Sequence, residues 1–484
     1  MIYNDELELK LDAAPDAAAA IEASPLLAEL PSQQKNLHSI YFDTRDHALR
    51  SVGLSLRVRH DGERYIQTLK ATDAPAVGLF ARKEWEREIP DNAIVIDDVL
   101  PLGAWLDGFD AAAVGPLFEV VVSRRIYDVE QGGARFELAI DHGSVSAEGS
   151  TRSFCELELE LKDGPPAALF EFARRLDAIA PLRCGVLSKS ERGYRLVDQE
   201  DCKASKAGQL NLAAGTTAGE GFAAIVKACI KQFRLNEALF LANRNARALH
   251  QARVALRRLR SALSTFRPML KGVERRKELA DGLRRLGNAL SQARGLDVLL
   301  DGLPEEDRAS LERTRRAAYD AAVAAFDSAR TRGLMIDLAE WIATGAAMSS
   351  PRAAAPLSPL AVDALDRFRR QIKRAGKLDE LDDEARHHVR IAAKKLRYAS
   401  EYFCGLFAGR KAGKRYDRFI AALEILQDRL GRLNDMVTAP DLLRQIGMDE
   451  FEKLVRIDPV RCADLIAEGE DARKKLLDRN RFWR

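Results

Sequence analysis

The chain has 484 residues, 46% of them apolar and 31% charged, and its 76 Lys and Arg nearly balance its 73 Asp and Glu, leaving a net charge of +3. This composition excludes a disordered polymer, and the length exceeds what one core organises, so two or three domains are expected. Net charge gives no argument for a polyanion partner, which must be argued from local clusters.

Glu6-Leu7-Glu8-Leu9-Lys10-Leu11 alternates charged and apolar residues, as in a strand with one polar and one apolar face. An Ala-rich segment at 13–30 is helical in pattern. Short strand patterns then follow at 37–42, 54–60, 64–70, 82–89, 118–129, 135–140 and 155–162. Their spacing predicts an antiparallel barrel or strongly curved sheet over residues 1–200.

Periodicity lapses at 201–219, read as a linker, and beyond it nearly everything is helical. A break rich in Gly, Ser and Pro near 344–359 divides this region into halves of about 220–345 and 358–484. The halves repeat: His250-Gln251-Ala252-Arg253-Val254-Ala255-Leu256-Arg257-Arg258-Leu259-Arg260 aligns with His387-His388-Val389-Arg390-Ile391-Ala392-Ala393-Lys394-Lys395-Leu396-Arg397, each followed by an aromatic at the same offset, Phe266 and Phe403. The expected fold class is α+β and multidomain: an N-terminal antiparallel β tunnel with helices, then an all-α bundle with two-fold internal repeat.

Six scattered cysteines lack CxxC or zinc-type spacing. The first residues lack the basic and apolar regions of a signal peptide, and no run of about 18 apolar residues occurs, so a cytoplasmic protein without a membrane span is expected.

Two constellations carry chemistry. In the strands, acids come as ExE and bases as RxR: Glu156, Glu158 and Glu160 share a face, as do Arg57 and Arg59, and Glu137 and Asp141. Paired carboxylates supply hard oxygen ligands for Mg²⁺ or Mn²⁺, and guanidinium groups neutralise phosphate. Such a tunnel suits a linear triphosphate. In the helices, His250, Arg253, Arg257 and Arg260 share one face, as do His387, Arg390, Lys394 and Arg397, and neither eleven-residue segment contains an acid. A bound polyanion offsets the self-repulsion. The absence of interleaved aromatics argues against single-stranded nucleic acid.

Glu6-x-Glu8-x-Lys10, Tyr41-Phe42-Asp43-Thr44, Leu56-Arg57-Val58-Arg59, Thr68-Leu69-Lys70, the run from Glu156 to Leu161 and Leu187-Ser188-Lys189-Ser190-Glu191-Arg192-Gly193-Tyr194 together resemble the CYTH family of triphosphate tunnel metalloenzymes. The resemblance implies an eight-stranded tunnel with a polar lining. Glu6 and Glu8 then match metal-binding carboxylates, joined by Asp141 and by members of the Glu156, Glu158, Glu160 series. Lys10, Arg57, Arg59, Lys70 and Lys189 match catalytic phosphate-contacting bases, with Arg82, Arg124 and Arg192 binding substrate. Parity leaves open which glutamates complete the set and whether Arg124 or Arg125 faces inward.

The helical repeats resemble the CHAD family. This implies polyphosphate binding by His250, Arg253, Arg257, Arg258 and Arg260 and by His387, Arg390, Lys394, Lys395 and Arg397. Where the family usually has Arg-Asp, the first half reads Arg294-Gly295-Leu296-Asp297. CYTH followed by CHAD resembles bacterial inorganic triphosphatases, so the expected activity is metal-dependent hydrolysis of tripolyphosphate to pyrophosphate and phosphate. The alternatives are hydrolysis or cyclisation of an organic triphosphate such as ATP or thiamine triphosphate, or non-catalytic polyphosphate binding.

Overall fold

The computed structural model describes residues 7–71, 83–97, 111–301, 305–407, 409–445 and 458–484. It divides into two compact units, 1–205 with Asp327–Thr344, and Lys206–Phe326 with Gly345–Arg484.

The first unit is built on one antiparallel sheet. Its strands are β1 (Glu8–Asp12), β2 (Ser32–Asp43), β3 (Leu54–His60), β4 (Tyr65–Ala71), β5 (Lys83–Ile89), β6 (Gly115–Gln131), β7 (Ala134–Ala147), β8 (Ser150–Asp163) and β9 (Arg183–Cys184). The order is β5-β4-β3-β2-β6-β7-β8-β1-β9, so the described sheet has nine strands rather than eight, the ninth being a two-residue pairing with β1. β6, β7 and β8 are longer than the apolar alternation indicates. Gly132 and Gly133 (φ +58° and +72°), and Glu148 and Gly149 (φ +48° and +78°), form two-residue turns with positive φ at both positions. Such turns match the strand twist and let pairing run to the loop.

Leu9, Leu11, Phe136, Leu138, Ile140, Leu157 and Leu159 point away from the charged face and are fully buried. Helices α1 (Pro15–Glu22) and α3 (Pro166–Ile179) cover them, with the Phe136 and Phe172 rings 5.0 Å apart. Each such leucine contributes roughly 1.5–3 kcal/mol by burial. The short α2 (Ala48–Ser51) closes the end of β2, and α4 (Lys189–Val197) lies against β6 and β7. A further helix, α10 (Ala329–Ala343), comes from the helical half of the sequence yet packs on α3 and β9. There Arg332 donates to Asp177 at 2.5 Å, and Arg174 reaches Asp337 at 2.7 Å and also Glu340.

The second unit contains α5 (Ala218–Asn243), α6 (Ala246–Thr265), α7 (Arg276–Ala289), α8 (Ser291–Asp301), α9 (Glu305–Asp327), α11 (Leu357–Arg374), α12 (Asp383–Phe403), α13 (Arg410–Gln445) and α14 (Pro459–Asp478). The repeat is visible in its packing. The starts of α5 and α11 are tied by Ala218 N–H to Ala355 C=O (2.8 Å) and Leu357 N–H to Thr216 C=O (3.0 Å), and the Phe266 and Phe403 rings meet at 6.0 Å. In the stretch read as a linker, Leu210 and Leu212 are buried, and the Leu212 carbonyl passes close to Gly405. No helix among the described residues is long and apolar enough to cross a membrane.

Candidate active site and basic surface

Antiparallel register puts directly paired residues on the same face of a sheet. Arg124 pairs with Asp141, Asp141 with Glu156, and Glu156 with Asp12, giving one charged row across β6, β7, β8 and β1. In the next row Glu158 pairs with Lys10, and beyond it Glu160 pairs with Glu8 and Glu137. On the other side of the sheet, Arg57 pairs with Tyr41 and Thr68, and Arg59 with Ser39, again on this face; Lys70 pairs with Ser55 and Glu84. The face is the interior: Lys10, Arg57, Thr68, Asp141 and Glu156 are all buried. Arg59 on β3 feels the charges of Glu158 and Arg124, although three strands lie between β3 and β8 in sheet order, so the sheet curls until its walls face one another.

The carboxylates and cations on one wall form a dense network. Carboxylate oxygens of Asp141, Glu156 and Glu158 lie within 4.8 Å of one another. Arg124 donates to both oxygens of Asp141 at 2.7 Å and also to Glu158. The Lys189 ammonium contacts Glu156 at 2.5 Å and Glu158 and Asp141 at 2.8 Å; Lys10 reaches Glu158, and Glu8 at 3.0 Å. Arg192 donates to Asp12 at 2.7 Å and Glu156 at 3.0 Å. Burial alone would raise the carboxyl pKa values, but Lys10, Lys189 and Arg124 outweigh it and hold Glu158 well below the usual range, with Glu156 lowered as well. Conversely, Asp141, Glu156 and Glu158 overcome burial and keep Lys189 above the lysine range.

Two of these cations arrive on α4. Ser188 caps its N-terminus by accepting the Glu191 N–H at 3.1 Å, while the Glu191 carboxylate accepts the Ser188 N–H at 2.9 Å. A Cβ on Gly193 would lie 2.0 Å from the Phe118 ring, so only glycine lets α4 sit this deep.

The facing wall differs. Among the described residues neither Arg57 nor Arg59 makes an ion pair, and both Nε atoms are buried without an acceptor. Burial, and then repulsion from Arg57, push Arg59 down to about 10. Thus the interior holds a carboxylate-rich wall, internally neutralised, opposite two cations that make no ion pair among the described residues.

In the second unit, the basic stripes of α6 and α12 meet. Burial pushes His250 down to about 4, aided by Arg294, Arg257, Arg253 and Lys394. Burial, Arg390, Arg257 and Arg253 likewise push Lys394 down to about 7. His250 Nδ1 and the Nε atoms of Arg253, Arg257 and Arg390 are buried without acceptors. Arg260 and Lys395 continue the patch, feeling Arg284 and Arg367 respectively after burial. Asp435 lies 3.9 Å from Arg390, and Asp297 lies 3.8 Å from Arg294.

Family models match on both sides of the chain: a CYTH domain at residues 4–194 and a CHAD domain at 224–444. The chain carries a CYTH domain followed by a CHAD domain. An inorganic triphosphatase of Haemophilus influenzae is 30% identical over 203 residues, spanning 40% of this chain and 56% of the relative, so the match extends over little more than half of that protein. The solved CHAD domain from the plant Ricinus communis shares 28% identity with a TM-score of 0.48, covering 57% of this chain and 97% of that one. A Hippeastrum protein described as an adenylyl cyclase with a dominant triphosphatase activity shares 20% identity with a TM-score of 0.29, covering 40% and 96%.

In the CYTH domain the structure brings together Asp141, Glu156, Glu158, Lys10, Arg124, Lys189 and Arg192, with Glu8 at the edge of the group. Arg124 faces inward, whereas Arg125 pairs with Glu22 at 3.3 Å. Glu160 stands one row further along and binds Lys162. Glu6 and Arg82 lie outside the described residues. In the CHAD domain Arg258 departs from the stripe: it is buried, bonded to Glu401 and stacked 4.9 Å over Tyr402. Arg397 also binds Glu401, at 2.8 Å, and His387 turns to Asn434 at 2.9 Å. Stripe spacing alone missed Arg294, Arg284 and Arg367, which reach the patch from other helices. Asp12 was missed as well; its pairing opposite Glu156 could have exposed it.

Proposed function

We propose that the CYTH domain hydrolyses tripolyphosphate to pyrophosphate and phosphate with Mg²⁺ or Mn²⁺, and that the CHAD domain holds inorganic polyphosphate. The observation that carries the first part is the pair Arg57 and Arg59: Arg57 buried and Arg59 partly buried, each with an Nε that has no acceptor, neither in an ion pair among the described residues, and both on the face opposite a buried carboxylate wall. An unpaired buried cation is costly, and a chain of phosphates between the walls supplies the missing charge.

A divalent cation fits the facing wall, because Asp141, Glu156 and Glu158 offer three closely set hard oxygen donors. When bound, it supplies charge neutralisation at phosphate oxygens and polarises water. Asp141, Glu156 and Glu158 would hold it, with Glu8 beside them, leaving Lys10, Lys189, Arg124 and Arg192 to contact the phosphate chain. Arg57 and Arg59 bind the same chain from the opposite side and stabilise charge on the equatorial oxygens during in-line displacement.

The test is phosphate release from tripolyphosphate with Mg²⁺ or Mn²⁺, with and without chelator. Metal-dependent turnover abolished by chelator is expected; none with either metal would refute the hydrolase. Cyclic nucleotide formation from ATP in the same assay would replace hydrolysis with cyclisation. The polyphosphate reading is supported by the convergence of two acid-free stripes and their buried, acceptor-less nitrogens.

A further inference from the structure

Asp43 is buried and touches none of the charged groups in the tunnel, yet both of its oxygens are fully engaged. Oδ1 accepts the N–H groups of Thr44 (2.7 Å) and Leu49 (2.8 Å), while Oδ2 accepts the Arg50 N–H (3.1 Å) and the Tyr194 hydroxyl (2.6 Å). Three of these bonds organise the turn from β2 into α2. The fourth goes to α4, a helix distant in sequence.

Tyr194 is gripped on every side. Its ring meets Phe118 edge-on at 5.2 Å and His47 at 5.3 Å, and the Arg50 guanidinium lies 4.7 Å above it. Arg50 also binds Asp198 at the C-terminal end of α4. This socket therefore fixes the end of α4 opposite the one that enters the carboxylate network. Lys189 lies five residues before Tyr194, about 7.5 Å along the helix axis. Arg192 is two residues before it. Leu196 and Val197 of α4 also pack against the cluster of Leu37, Tyr41 and Phe118, but these apolar contacts are less directional than the Tyr194 hydroxyl bond to Asp43.

We propose that Asp43, acting through Tyr194, is a positioning residue for phosphoryl transfer: it sets the axial placement of α4 and hence where Lys189 and Arg192 meet the phosphate chain. This rests on the triphosphatase reading. A buried carboxylate accepting a short hydroxyl bond is directional, and displacement of a catalytic group by about 1 Å costs up to about a hundredfold in rate.

The experiment uses full-length Tyr194→Phe, which keeps the ring contacts and removes only the hydroxyl, beside Lys189→Gln and the double variant, all assayed with tripolyphosphate and Mn²⁺. Tyr194→Phe is expected to lower kcat by about tenfold. In the Lys189→Gln background the same change is expected to cost clearly less, about threefold, because only the displacement of Arg192 then remains. Multiplicative losses, or undiminished kcat in Tyr194→Phe, overturn the proposal, since a merely structural hydroxyl would cost the same in both backgrounds. Asp43→Asn should reproduce the Tyr194→Phe loss if it folds. Calorimetric binding of tripolyphosphate to the same four proteins keeps the two ideas separate: a wild type that binds without turnover refutes the hydrolase, and the coupling is then read from affinity with the same criteria.

Discussion

At Arg59, stability and function pull in opposite directions. Burial and the neighbouring Arg57 push its pKa down to about 10, so its charge is held at a cost while no phosphate is present. Arg59→Gln is therefore expected to leave the melting temperature of the ligand-free protein unchanged or raised, and to abolish most of the rise that tripolyphosphate with Mn²⁺ gives the wild type. A lower ligand-free melting temperature with a full ligand-induced rise would contradict this. Glu158 presents the converse case. Lys10, Lys189 and Arg124 depress its pKa against the effect of burial, so the stability it contributes is complete above the ordinary carboxylate pKa of about 4.3 and is lost as pH falls through its folded value. Thermal unfolding followed from pH 7 to 3 should show melting temperature falling below about pH 4. In Glu158→Gln, which takes one carboxylate partner from each of Lys10, Lys189 and Arg124, it should start lower and fall less steeply.

At the scale of elements, the depth of α4 is decided by a single glycine and the length of the strands by two-residue turns with positive φ. The tunnel motif around Lys189 and Arg192 works because Gly193 lets the helix lie on Phe118. Gly193→Ala forces ring and helix apart, an overpacking cost of about 1–3 kcal/mol. It should lower stability in denaturant titration, and it should lower kcat more than a stability-matched core substitution such as Leu138→Val. Equal effects would mean that α4 placement has no catalytic weight. The strand parities were legible because alternation with period two is local, and so Asp141, Glu156 and Glu158 could be placed on one face from sequence. The choice between Arg124 and Arg125 was settled by sheet register, which pairs Arg124 with Asp141. The packing of α10 on α3 and β9 had no counterpart in periodicity, since its polar partners Asp177 and Arg174 lie about 150 residues away.

For the whole molecule, the chemistry of both units is the management of concentrated charge. In the CHAD domain, residues on α6, α8 and α12 repel one another, and Lys394 is pushed down to about 7 by burial and its cationic neighbours. With the folded value below the unfolded one of about 10.4, the unfolded chain binds the extra proton, so this group makes stability rise with pH between about 7 and 10. A bound polyanion reverses the balance by favouring charged lysine. Long-chain polyphosphate binding is accordingly expected to take up protons near pH 8, to weaken as pH rises towards 10, and to weaken steeply between 50 and about 200 mM salt. Calorimetry in buffers of different ionisation enthalpy measures the proton uptake. The Arg253→Gln, Arg257→Gln, Arg390→Gln and Lys394→Gln quadruple variant should lose both the affinity and the salt slope, whereas unchanged binding would place the polyanion elsewhere.

What the sequence determined by itself was whatever depends on short-range pattern: the two-domain order, the internal repeat, the charged faces of strands and helices, and most of the residues that line them. Both repeats were assigned the same basic set, but the tertiary structure broke that symmetry at Arg258. Glu401 stands within reach of it, while the equivalent position in the other half is Ser264, so Arg258 is drawn into the core and Lys395 is left in the basic patch. The same holds for the pairing of acids with bases in the tunnel. Which carboxylate meets which cation depends on register, sheet curvature and the depth of α4, all set by packing between segments far apart in the chain.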